Sequence, residues 1–170
     1  MNEKELVKKA KGGDKNAFCA LYAAYKDKLY RYAFYKLGNC EDAQDAVSDC
    51  IISAFENIKN IRKPEAFSAW IFKILHITCT KYVKQQITAR ETSGTEELIH
   101  SKALSDETSE SAAELSEALG KLKNEEKEIV LLCVVAGLTS RETAKLTGMT
   151  AGSVRSKLSR SLAKMRNFLE

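Results

Sequence analysis

Apolar residues recur at every third or fourth position along most of this chain, and no stretch alternates apolar with polar as a half-buried strand would. Phe18, Leu21, Tyr22, Tyr25, Leu29, Tyr32, Ala33 and Leu37 fall on one face of a long helix that Gly38 would end. Ala43, Ala46, Val47, Cys50, Ile51, Ala54, Phe55 and Ile58 repeat the spacing, with Asn39 placed to cap the start. After the break at Arg62-Lys63-Pro64, a third helix opens with Phe67, Trp70, Ile71, Ile74 and Thr78. Stripes of this kind can be buried only by packing helix on helix, so the expected fold class is all-α.

The pattern lapses once. Residues 88–114 hold two cations, Arg90 and Lys102, against seven carboxylates, with many Ser and Thr and few large apolar side chains. Such a segment cannot bury enough surface to offset its ordering entropy, and it reads as a flexible acidic linker. The charge changes sign on either side. Residues 1–87 carry fifteen Lys and Arg against ten Asp and Glu, and residues 115–170 carry ten against six. Within 170 residues this leaves room for two small helical domains, 1–87 and 115–170, joined by 88–114.

Four short helices are expected in the second domain. Asn124 can cap the first stretch, and the apolar run Ile129 to Val135 makes a buried helix that Gly137 stops. Thr139-Ser140-Arg141-Glu142 matches a capping box, whose helix ends at Gly148, and Thr150 begins the last helix. That helix turns Val154, Leu158, Leu162, Met165 and Leu169 inward and leaves Ser153, Arg155, Ser156, Lys157, Ser159 and Arg160 on or near the surface. A short helix, a glycine turn and a second helix rich in Arg, Lys and Ser at its start is the helix-turn-helix plan. Guanidinium groups can bond two acceptors on a guanine edge, and hydroxyls hold phosphates.

Two faces of the first domain have their own chemistry. Glu41, Asp42, Asp45 and Asp49 stack on neighbouring turns without an intervening lysine, a mutual repulsion of a few tenths of a kcal/mol per pair. The helix dipole accounts for Glu41 and Asp42 but does not reach Asp49; a docking face for a basic partner and a plain solvated face both remain open. On the third helix, Lys73, His76, Lys81 and Lys84 lie beside Trp70, Phe72 and Tyr82, a mixture suited to single-stranded nucleic acid, while Trp70 also fits a core position.

Other functions find little support. Cys19, Cys40, Cys50, Cys79 and Cys133 are scattered without a CxxC pair and read as reduced, mostly buried thiols. His76 and Cys79 could share a helix face, but two ligands fall short of a structural zinc site. No phosphate-cradling Gly-rich loop occurs, so neither catalytic residues, a metal nor a cofactor is expected. No stretch has the length of a spanning helix and the first residues are charged, which points to a cytoplasmic protein.

Several segments resemble, in order, the extracytoplasmic-function group of bacterial sigma factors. Leu6-Val7-Lys8-Lys9-Ala10-Lys11-Gly12-Gly13-Asp14, with Ala17-Phe18 and Leu21-Tyr22, is similar to the family's opening, and Tyr30-Arg31-Tyr32-Ala33 to its first core helix. Glu41-Asp42-Ala43-Gln44-Asp45-Ala46-Val47 resembles the start of the polymerase-binding helix. Phe67-Ser68-Ala69-Trp70-Ile71-Phe72-Lys73-Ile74 is similar to the FxxWLxxI segment, and Gly152 to Arg160 to the recognition helix. The likeness covers nearly everything outside about 86–112.

The resemblance implies a region-2 bundle and a region-4 helix-turn-helix in a transcription initiation factor, with core RNA polymerase (β′ clamp and β flap), promoter DNA and an anti-sigma factor as partners and no small-molecule substrate. Asp42, Asp45, Asp49 and Phe55 would grip the β′ clamp. Arg62, Lys63 and Phe67, in the loop that receives a flipped base, with Lys73, His76, Thr80, Lys81 and Lys84, would engage the opened −10 strand. Ser140, Arg141, Ser153, Arg155, Ser156, Lys157, Ser159 and Arg160 would serve the −35 element. Some positions depart from the family pattern: Ser48 stands where Gln is usual, Ile51 where Phe is, Ile77 where Asn is, Lys81 where Asp is common, and Ser159 replaces a larger residue. A helix-turn-helix regulator whose first block senses a ligand or dimerises is the alternative.

Overall fold

The computed structural model describes residues 1–93 and 109–170, and among these the regular structure is helical. Four helices make the first lobe: α1 (Glu3–Lys11), α2 (Lys15–Leu37), α3 (Cys40–Asn57) and α4 (Phe67–Ser93). The second lobe holds α5 (Ser109–Gly120), α6 (Asn124–Val130), α7 (Ser140–Thr147) and α8 (Ala151–Leu169).

Local chemistry sets the boundaries. Asn2, Asp14 and Asn39 accept backbone N–H bonds from Glu5, Ala17 and Asp42 and so start α1, α2 and α3. Gly38 ends α2 in the left-handed region at φ 82°, where its N–H reaches the Phe34 carbonyl. Pro64 begins the 3-10 turn that leads into α4, at the position where a missing N–H costs nothing. The apolar run in the second lobe is less regular than its spacing implies. α6 continues into a π-helical turn, Leu131–Val135, in which the Ala136 N–H bonds the Leu131 carbonyl.

In the first lobe, the core gathers Leu21, Leu29, Tyr32, Phe67, Phe72 and Leu75, all at most 1% exposed. Tyr25 meets Phe67 edge-on at 5.2 Å, and Tyr32 meets Phe72 at 6.0 Å. This core runs on without a break into Leu119, Leu131 and Leu132 of the second lobe. The π turn packs on α2, so the two lobes are pressed together.

Several expectations change. The stretch before α2 folds as a helix, α1, with Val7 and Ala10 buried. Helix α4 runs to Ser93 and α5 starts at Ser109, so both intrude on the expected linker 88–114, whose middle lies outside the described residues. Lys123, not Asn124, occupies the cap position of α6, where its N–H donates to the Glu126 carboxylate. Tyr22 and Leu169, whose spacing puts them on inner stripes, are exposed, and so is Phe55, which its spacing puts on the apolar stripe and the family resemblance on the clamp-gripping side. The thiols are not mostly buried: Cys50 and Cys79 are, Cys40 and Cys133 are half-buried, and Cys19 faces solvent. Burial pushes the Cys50 and Cys79 thiols up to about 12.

Candidate nucleic-acid interface

The helix-turn-helix is built from short-range signals. The Thr139 hydroxyl accepts the Glu142 N–H at 3.1 Å while the Glu142 carboxylate accepts the Thr139 N–H at 3.0 Å. At the other end of α7, Gly148 takes φ 75° and its N–H bonds the Ala144 carbonyl. Two residues later the Thr150 hydroxyl accepts the Ser153 N–H at 3.1 Å and starts α8. Ile129, Ala144 and Val154 make a small apolar centre under this turn, with Met149 and Leu158 against it. The angle between α7 and α8 is therefore fixed at both the backbone and the core.

On that frame Arg155, Ser156, Ser159 and Arg160 project into solvent from the first three turns of α8, with Ser153 half-buried beside them. Arg141 is exposed and Ser140 half-buried at the start of α7. Lys157 is different. Its ammonium is held by the Glu125 carboxylate and lies 3.7 Å from the Met149 sulfur. Lys164 pairs with Glu126 at 2.9 Å and holds that carboxyl below its usual range. Lys123, Glu125, Glu126, Lys157, Arg160 and Lys164 line a cleft of about 300 Å³, in which the Lys157 and Lys164 ammonium groups are partly neutralised by the two carboxylates.

In the first lobe, Arg62 and Lys63 are exposed just before α4, and Lys73, Lys81 and Lys84 are exposed along it. Ile77, at 47% exposure, stands between them on the same face. Thr80 spends its hydroxyl on the His76 carbonyl at 2.8 Å. Two expected contacts are turned away from any strand in this conformation. Phe67 is 1% exposed and lies under Trp70, their rings 5.8 Å apart. His76 points at the second lobe, its Nδ1 2.8 Å from the Glu128 carboxylate and 3.1 Å from the Tyr32 hydroxyl.

The acidic face of α3 is sharper than its sequence suggests. Asp45 and Asp49 are exposed, and Asp49 accepts the Tyr82 hydroxyl at 2.7 Å. Burial, followed by Asp49, raises the Tyr82 phenol above its ordinary range. Asp42 is committed inward, accepting from Gln86 at 2.7 Å and from the Asn39 amide at 3.0 Å. Further along the same helix Ile52 is 59% exposed and Phe55 46%, with the Phe55 ring edge-on to Phe18 at 5.2 Å. The outer stripe therefore passes from carboxylate to apolar within three turns. Sequence periodicity had assigned Phe55 to the core and left Ile52 without a role, although 45, 49 and 52 share the i, i+4, i+7 register of one face.

A second apolar surface gathers residues whose spacing alone reads as core. Leu115, Leu119, Val134, Leu162 and Leu169, from α5, the π turn and α8, line an open groove of about 430 Å³. Less expected is Glu128, which among the described residues is the one buried carboxylate. The nearest signal is its place directly before the apolar run that begins at Ile129.

Comparison with known proteins matches both lobes in order. Residues 21–87 match the model of sigma-70 region 2, and residues 112–165 match that of sigma-70 region 4. The RNA polymerase sigma factor SigV of Bacillus subtilis is 31% identical, with 84% of this chain and 84% of SigV covered. BldN of Streptomyces coelicolor, an ECF RNA polymerase sigma factor, is 29% identical over 97% of this chain and 65% of its own length. Among solved structures, the sigma factor RpoE in complex with the anti-sigma factor NepR from Bartonella quintana shares the fold, with a TM-score of 0.72 at 19% identity over 89% of this chain and 96% of that one.

Proposed function

This chain belongs to the sigma-70 family of transcription initiation factors, in its extracytoplasmic-function branch, and from that premise we propose a division of labour among its surfaces. The stripe of Asp45, Asp49, Ile52 and Phe55 on α3 docks on the β′ clamp of core RNA polymerase, first by charge and then by apolar contact. Arg155 and Arg160 read base edges of the −35 duplex, Ser156 and Ser159 hold its phosphates, and Arg141 and Ser140 extend that contact from α7. Arg62, Lys63, Lys73, Lys81 and Lys84 follow the opened −10 strand. The groove between α5 and α8 takes the β flap.

No step here is catalysed by the chain itself: binding energy positions the polymerase and favours strand opening. The work belongs in the cytoplasm, and among the described residues no helix is long and apolar enough to cross a membrane. The partner of RpoE in its solved complex suggests an anti-sigma factor for this chain as well.

The observation that carries the reading is the stripe on α3. A stand-alone helix-turn-helix regulator needs basic residues on its recognition helix but has no use for exposed carboxylates grading into exposed Ile52 and Phe55. Asp45→Lys in the full chain should lower affinity for core polymerase while sparing DNA binding. An unchanged polymerase affinity would remove this role from α3, and absence of run-off transcription with purified core on a promoter library would favour the regulator.

A further inference from the structure

Glu128 sits at the start of the apolar run of the second lobe, 7% exposed, with its acceptors occupied from the other lobe. The Tyr32 hydroxyl and the Lys36 ammonium, both on α2, donate to its two oxygens. The His76 Nδ1 on α4 lies 2.8 Å from Oε1, and because an ionised carboxylate only accepts, that nitrogen carries the proton. Burial brings Lys36 down to about 8, so it keeps its charge near neutrality and the ion pair stands. Thus one carboxylate of the second lobe receives three donors of the first, within the same continuous core.

Geometry gives this contact a consequence. The −10 and −35 elements are centred about 25 base pairs apart, roughly 85 Å of duplex at 3.4 Å per base pair. A compact chain of this length has a radius of gyration of about 16 Å, and touching lobes of these sizes have centres only about 30 Å apart. The closed arrangement cannot lie on both elements, so promoter engagement must part the lobes and break every bond to Glu128.

We propose that Glu128 is an intramolecular latch: its carboxylate occupies Tyr32, Lys36 and His76 and keeps the free chain closed, and His76 becomes available to nucleic acid only when polymerase draws the second lobe away. The proposal rests on the sigma-factor reading for what opens the latch, but the latch itself is a property of the free chain. Opening exchanges one anion for another, because His76 lies on the same helix as Lys73, Lys81 and Lys84 and is released toward the strand they follow. The apparent affinity for polymerase is then reduced by the fraction of chain that is open, and weakening the latch should raise it.

The test is small-angle X-ray scattering of the full chain, with core-polymerase affinity measured separately. Wild type should have a radius of gyration close to that of a compact chain, about 16–18 Å, and Glu128→Lys, which sets a lysine against Lys36, should exceed about 20 Å with helix content kept. The exchange Lys36→Glu with Glu128→Lys should restore compaction, which a merely structural loss would not. Should Glu128→Lys lose helix, the pair Tyr32→Phe and Lys36→Met removes two of the three donors from the opposite side and must expand the chain in its place. Opened variants should bind core polymerase about tenfold tighter or more. An expanded wild type, or a folded variant that stays compact, overturns the latch. Expansion as expected with no polymerase binding by any form would leave the latch standing and sink the functional reading.

Discussion

The two lobes meet nucleic acid with unequal readiness. In the second, Arg155, Ser156, Ser159 and Arg160 stand free on a helix whose start, turn and angle are set within about thirty residues. The side of the first lobe proposed to follow the opened strand is partly spent on other tasks, with Phe67 in the core, the Thr80 hydroxyl bonded back to its own helix and His76 held by Glu128. A surface assembled from local signals is complete as soon as its helices form. One assembled from distant residues depends on what else packs against it, and here the competing neighbour is the other lobe.

That contrast can be broken most severely in the cores. Phe72→Ala empties a fully buried site between Tyr25 and Tyr32 and should cost about 3–5 kcal/mol, whereas Val154→Ala in the small second centre should cost about 2 kcal/mol. Denaturant unfolding of both variants compares the two. Equal losses would mean that the small second centre is packed as deeply as the first.

Arg160→Ala should weaken promoter binding by about 1–3 kcal/mol and relax one −35 position, while Lys157→Ala, whose ammonium Glu125 already occupies, should lose less. Binding across a set of single-base −35 variants separates these outcomes. A uniform loss for Arg160→Ala would make it a phosphate contact.

Thr139→Ala removes one half of the capping box and should cost about 1 kcal/mol, seen as faster amide exchange in the first turn of α7 with the first lobe unchanged. Slower still to show would be the effect of pH on the lobe contact. Burial, and then the Lys36 charge, holds His76 below its ordinary range, so the closed form favours the neutral ring. Tyr32 and Lys36 from α2, Cys79 from α4, and Lys127 and Glu128 from α6 surround that contact. Below about pH 6.5 the open form takes up a proton that the closed form resists, so closure is undiminished above that value and weakens as pH falls. The radius of gyration should rise on acidification in wild type and rise less in His76→Gln.

Legibility in the sequence follows the same division. The caps at Asn39, Thr139 and Thr150 and the turn at Gly148 act over three or four residues, and each is where the residues put it. Helix α1 escaped because nine residues with two buried positions give too short a period to stand out from the lysines around them. Tyr22, Phe55 and Leu169 repeat at core spacing yet are exposed, since periodicity marks a face and cannot say where the neighbouring helix ends. The π turn at Leu131–Val135 shifts the register of an apolar run in which every residue would suit an ordinary helix.

Helical class and the polarity of the recognition helix were thus decided along the chain, because hydrogen bonds and side-chain stripes in helices close over a few residues. Burial of Glu128, the loss of Phe67 and His76 to the interior and the acid-to-apolar grading beside Phe55 were decided only when segments from 32 to 128 met. A charge is kept out of water where donors converge on it, and that convergence is a fact of three dimensions.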